Sequence, residues 1–94
     1  MTNVFEIKDV SGRIIHMTSE RWKHILKHPE MQQRMQHIID VLTKPQKIIN
    51  VKTDVKFYYG YDKHRKSPAK YLRVIVKYLN CKGYIITSYF VENL

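Results

Sequence analysis

Two histidines about one helical turn apart, preceded by an arginine, stand out in this 94-residue chain as residues suited to moving protons. Arg21, His24 and His28 fall at i, i+3 and i+7, a spacing that puts them on one stripe of a helix. Imidazole titrates near neutrality, so it can take up or release a proton in a reaction. In a purely structural role the same rings would be half-buried and bonded to carbonyls. The i, i+4 spacing of His24 and His28 is also that of a helical metal pair. The glutamate that makes His-Glu-x-x-His diagnostic is missing and carboxylates are few, so no metal and no cofactor are expected.

A second set lies towards the C-terminus, where Arg73, Lys77, Thr87 and Tyr89 occupy alternate positions of strand-like segments. As ordinary structure this would be a solvated sheet face with a packing tyrosine. Together the two sets match the needs of RNA cleavage. RNA carries its own nucleophile, the 2′-hydroxyl, so no serine or cysteine is required. What is required is a base, an acid and cations around the developing phosphorane charge. His24 is expected as base or acid, with His28 as alternative or partner. Arg73 and Lys77 would hold phosphate charge, and Thr87 would donate a hydrogen bond. Tyr58, Tyr59 or Tyr89 would stack on unpaired bases. Two other classes compete. A non-catalytic RNA- or ribosome-binding module could use the same aromatics and lysines. An interaction protein would bind an acidic partner, such as an antitoxin or immunity protein that neutralises a toxin.

These side chains need elements to hold them. Val4, Phe5, Ile7, Ile14 and Ile15 flank Ser11-Gly12 and predict an N-terminal hairpin. Thr18 reads as an N-cap with Glu20 in the first turn. Trp22, Ile25 and Leu26 then form the apolar stripe of a helix that ends at His28, before Pro29. Pro29 suits the start of a second helix, with Met31, Met35, Ile38, Ile39 and Leu42 on its apolar face and Lys44-Pro45 as its end. Four strands follow at Lys47–Thr53, Val55–Tyr61, Lys70–Leu79 and Tyr84–Val91, with a charged loop at Asp62–Ala69. The expected fold is α+β: an N-terminal hairpin, two helices, then a four-stranded antiparallel sheet with the helices on one face. In the last hairpin, Asn80-Cys81-Lys82-Gly83 reads as a three-residue loop with Gly83 left-handed. That register sets Lys77 near Thr87 and Arg73 near Val91. It also puts Leu72, Val74, Val76 and Tyr78 on the helix side with Ile86, Ser88 and Phe90.

Composition bounds these readings. A chain of this length supports one domain, here residues 1–94, and eleven aromatics are ample for its core. Seventeen Lys and Arg against eight Asp and Glu give +9, which suits a polyanion. Val55–Val91 holds eight of those bases and one acid, Asp62, a net +7. A basic amphipathic helix of the kind that lies on membranes is missing, so no membrane partner is expected. Cys81 is the sole cysteine, and no signal-like or bilayer-length apolar run occurs. A soluble, cytoplasmic protein is expected.

The run Thr18-Ser19-Glu20-Arg21-Trp22-Lys23-His24-Ile25 through His28-Pro29-Glu30 resembles the opening helix of small phage and bacterial nuclease domains. These form the phage-associated branch of the barnase–EndoU–colicin–RelE-like superfamily. Tyr58-Tyr59, Lys70–Lys77 and Ile85–Phe90 are similar to its later pieces, in the same order. The resemblance implies two helices ahead of a four-stranded antiparallel sheet and metal-independent endoribonuclease activity, toxin-like in setting. It places His24 and His28 near the site with Lys77, Thr87 and Tyr89 from the sheet. The family often has Arg shortly after the paired tyrosines, where this chain has Gly60. That leaves Arg73 or Arg65 to bind phosphate, with Arg21 as a further expected RNA contact.

Overall fold

The computed structural model describes residues 3–93. It is an α+β fold in which an N-terminal hairpin, two helices and four further strands build one six-stranded mixed sheet. The strands are β1 (Asn3–Lys8), β2 (Ile14–Thr18), β3 (Lys47–Asn50), β4 (Val55–Tyr61), β5 (Tyr71–Leu79) and β6 (Lys82–Val91). Their spatial order is β1-β2-β6-β5-β4-β3. Strands β3 to β6 are antiparallel, as expected. The hairpin does not stand apart from them. β2 runs parallel to β6 over three pairs, Ile14 with Lys82 to His16 with Tyr84, and so extends the sheet to six strands.

Asp9 explains the tight turn of the first hairpin. Its Oδ1 accepts from the Ser11 amide, the Ser11 hydroxyl and the Arg13 amide, while Gly12 takes φ 88°. Oδ2 reaches into the core, accepting from the hydroxyls of Tyr58 at 3.1 Å and Tyr78 at 2.5 Å. Burial alone would raise the Asp9 pKa, but the four hydrogen-bond partners together hold it below the ordinary carboxylate value.

Helix α1 (Ser19–Ile25) starts where expected, capped by the Thr18 hydroxyl accepting from the Arg21 amide. It stops three residues before His28. The chain continues in tighter i→i−3 bonds, Lys27 to His24 and His28 to Ile25, so His28 leaves the helical stripe. The single second helix is also corrected. Pro29–Met31 is a short 3-10 turn, Gln33 has φ 63°, and α2 spans only Met35–Thr43. The i, i+4 spacing of Met31 and Met35 imitates a continuous helix. Met31 instead enters the core from the 3-10 turn, and Arg34 is turned towards Asp62, with its Nη1 3.1 Å from Oδ2.

The core lies between the helices and one sheet face, with Ile15, Met17, Ile25, Ile38, Leu42 and Val74 fully buried. Trp22 packs against it half-buried. Val41, absent from the expected stripe, is buried too, and its Cγ2 would lie 2.5 Å from a Cβ at residue 60. Gly60 is therefore the gap through which α2 approaches the sheet.

The β5–β6 register differs from expectation by three residues between the turn and Val76 and by two from Ile75 onward. The turn is two residues long, Leu79 pairs with Lys82, and Asn80 rather than Gly83 takes the positive φ, at 61°. Gly83 is needed for another reason: a Cβ there would lie 2.5 Å from Ile15 Cδ1 and 3.0 Å from the Tyr78 ring. A bulge opposite Ile75 and Val76 adds Ile86 as an extra residue, so Ile85 takes the core position expected for Ile86. Beyond the bulge the faces stand as read, with Ser88 and Phe90 buried with Leu72 and Val74, while between the turn and the bulge the faces of β6 are exchanged.

Candidate functional site

The sheet face away from the helices carries three rows across β4, β5 and β6. Tyr59, Arg73 and Tyr89 form the first, Phe57, Ile75 and Thr87 the second, and Val55, Lys77 and Tyr84 the third. The first row has the most developed geometry. Arg73 donates from Nε to the Tyr59 hydroxyl at 3.0 Å and from Nη1 to the Tyr89 hydroxyl at 3.0 Å. Its guanidinium carbon lies 4.9 Å from the Phe57 ring centre, 5.3 Å from Tyr59 and 5.5 Å from Tyr89. Burial works against the charge, but the two phenol oxygens outweigh it and hold the Arg73 pKa above its ordinary value. Two of the five guanidinium N–H groups are used in these bonds, and the others remain for a ligand.

His28 reaches this row from the side. β2 covers β6 only as far as Tyr84, after which the chain becomes α1 and runs on against the remainder of β6. The 3-10 turn after α1 thereby brings the exposed His28 ring to 6.1 Å from that of Tyr89. Glu30 Oε1, buried and without a hydrogen-bond partner, lies 3.8 Å from His28 Nδ1. His24 is exposed on α1, and among the described residues its ring makes no hydrogen bond or ring contact.

The remaining sequence candidates scatter. Thr87 is half-buried in the middle row. Lys77 stands two pairs along β5 from the Arg73 row, roughly 13 Å at the usual strand rise, and its Nζ is 4.0 Å from Asp54 Oδ2. Arg21 is exposed at the start of α1 and overlooks the same end of the sheet. Tyr58 belongs to the opposite face. It is 1% exposed, its hydroxyl sits between Asp9 and Tyr78, and burial raises its pKa, so it offers no ring to a ligand. Arg65 is likewise turned to the helix side, donating from Nε to the Ala69 carbonyl and lying 3.9 Å over the Phe90 ring. Of the two arginines considered for phosphate, only Arg73 is on the open face.

One residue escaped the sequence reading. His16 projects to the open face from the middle of β2, where its pairing with β6 ends, its ring stacked on Tyr84 at 5.2 Å and 24°. Its Nδ1 lies 3.4 Å from Glu6 Oε1 and 3.2 Å from Asn3 Nδ2, while Nε2 is buried without a partner. The available signal was its position between buried Ile15 and Met17, which sends its side chain the other way. Beside it lies an open cleft of about 510 Å³ bounded by α1, β2, β5 and β6. Among the described residues no three His, Cys, Asp or Glu side chains converge as a metal site, and no helix is long and apolar enough to cross a membrane.

Comparison of the chain with protein-family models, curated proteins and solved structures finds no match.

Proposed function

We propose that this protein is a small endoribonuclease of the barnase–EndoU–colicin–RelE-like kind that binds single-stranded RNA on the open sheet face and cuts it without a metal. The observation that carries this reading is the row Tyr59–Arg73–Tyr89, in which two hydroxyls hold a guanidinium amid three aromatic rings. Such a group grips a phosphate by its remaining donors while the half-buried rings of Phe57 and Tyr89 meet unpaired bases; Tyr59, 1% exposed, holds Arg73 and offers no ring. His28, at 6.1 Å from Tyr89, takes the proton from the 2′-hydroxyl. The 2′-oxygen then bonds to phosphorus and the bond to the 5′-oxygen breaks. The Tyr89 hydroxyl supplies the proton that this oxygen needs, leaving a 2′,3′-cyclic phosphate and a 5′-hydroxyl. Arg73 stabilises the charge that builds on the non-bridging oxygens. The chain's +9 charge favours RNA approach, and equally an acidic antitoxin or immunity protein that would cover the same face.

One observation favours a second reading. His28 is the only histidine beside the Arg73 row among the described residues, so the row lacks a pair of histidines to share base and acid roles. A non-catalytic RNA- or ribosome-binding module would need none. Incubation with single-stranded RNA in excess EDTA separates the two. The nuclease leaves 2′,3′-cyclic phosphate ends, His28→Ala slows it about a hundredfold, and a 2′-deoxy sugar at the cleavage position blocks it. Cutting of the deoxy substrate, or loss of cutting in EDTA, refutes the proposed chemistry. RNA that is bound but never cut establishes the module.

A further inference from the structure

We propose that the cleft between the start of α1 and the β2–β6–β5 end of the sheet binds one nucleotide unit, with its base against Tyr84 and its phosphate between Arg21 and Lys77. The volume, about 510 Å³, falls within the usual range for small-ligand sites, roughly 300–1,000 Å³. Its apolar floor is open to solvent: Leu79 is 52% exposed and Tyr84 38%. Tyr84 already forms half of a stack with His16, whose side chain is only 11% exposed and is held through Nδ1 by Asn3 and Glu6. A further flat heterocycle extends that stack at little entropic cost, because the platform is already ordered.

The rim supplies the complementary charge. Arg21 is exposed, and Lys77 shares only a half-solvated pair with Asp54, which a phosphate can displace. Glu20 contributes one carboxylate, which opposes a second phosphate and suits an exocyclic amino group. A plain anion would leave the apolar floor unused, and an apolar ligand would leave the cations unused. A nucleotide uses both. The inference rests on the proposed function only for the nucleotide's source, either a strand also held at Arg73 or a free nucleotide.

Amide NMR of the whole protein tests it, with adenosine 5′-monophosphate as the probe. The amides of Arg21, Lys77 and Tyr84 should shift while those of Asp40 and Lys44 stay in place. Tyr84→Leu should weaken binding fivefold or more, the loss expected for one base–aromatic stack. Arg21→Gln, at an exposed position, should weaken it without touching the core. Ribose 5-phosphate should bind more weakly than the mononucleotide. If a single-stranded trinucleotide binds more tightly than the mononucleotide and Arg73→Ala removes the gain, the source is a strand. If there is no gain, the source is free nucleotide. Unmoved amides at Arg21, Lys77 and Tyr84, or equal binding of ribose 5-phosphate, overturns the inference. RNA cleavage that depends on Arg73, alongside a silent cleft, overturns it while leaving the nuclease standing. Mononucleotide binding with RNA neither bound nor cut does the reverse.

Discussion

Replacing Arg73 tests the open face most directly, because charge and geometry can be removed separately there. Arg73→Lys keeps the positive charge but cannot donate along Nε and Nη1 at once, so it loses at least one of the two 3.0 Å bonds to Tyr59 and Tyr89. Tyr59 is 1% exposed, and its hydroxyl has no other hydrogen-bond partner among the described residues. Leaving that group unpaired costs about 1–3 kcal/mol of stability. Urea unfolding should show this cost for Arg73→Ala, and Tyr59→Phe should relieve part of it, since the buried hydroxyl is then gone. On RNA, a lysine makes a point contact where the guanidinium makes a fork. The loss of one charge-assisted bond, about 1.5–3 kcal/mol, weakens binding roughly ten- to a hundredfold. Salt dependence separates the two effects. Arg73→Lys should keep the wild-type slope of log affinity against log salt, whereas Arg73→Ala should flatten it by about 0.7, the value for one phosphate on a single strand. If Arg73→Ala binds RNA with the wild-type slope and affinity, Arg73 does not touch phosphate and the account of the face fails.

Three further outcomes follow from the geometry. Asp9→Asn should cost about 3 kcal/mol, because an amide replaces an ionised acceptor facing only donors. The folded pKa of Asp9 is depressed, so its contribution is complete above the ordinary value of 3.8 and fades as pH falls through the folded value. Urea midpoints from pH 7 to pH 3 should therefore decline more steeply in wild type than in Asp9→Asn. Lys63→Ser with Lys66→Ser, both exposed on the loop before β5, should weaken RNA binding at low salt and leave the urea midpoint unchanged. Gly60→Ala should destabilise by about 1–3 kcal/mol, since the new Cβ meets Val41 Cγ2 at 2.5 Å, and Val41→Ala in the same chain should recover part of the loss.

What the sequence revealed about the fold was set by short-range signals. The Thr18 cap, the Ser11-Gly12 turn and the alternation in β5 each depend on residues close in the chain, and each is found in the structure. The parallel pairing of β2 with β6 joins segments nearly seventy residues apart, and no local pattern announces it. The bulge at Ile86 was hidden similarly, because Ile85 and Ile86 are equally apolar and the bulge alone decides which faces the core. On the site side, the C-terminal set was legible because alternation sends Arg73, Thr87 and Tyr89 to one face. The histidine stripe was not, because the helix it presumes ends at Ile25. His16 was passed over because its contacts lie on β1 and β6, outside its own segment.

The paired tyrosines show how closely the two faces depend on each other. Tyr58 and Tyr59 are adjacent, so alternation sends one to the core and the other to the open face. In the core, Tyr58 meets Asp9 and Tyr78 and ties the first hairpin to the middle of the sheet. On the open face, Tyr59 holds Arg73. A slip of β4 by one residue would exchange them, setting a hydroxyl without a partner against the helices and stripping Arg73 of its acceptor. Gly60, the next residue, blocks that slip: it is the only position in β4 without a side chain, and Val41 occupies the space above it. An arginine at residue 60 would point towards α2, not towards the row that holds Arg73. The guanidinium of the open face comes instead from the neighbouring strand, where β5 sets Arg73 directly beside Tyr59.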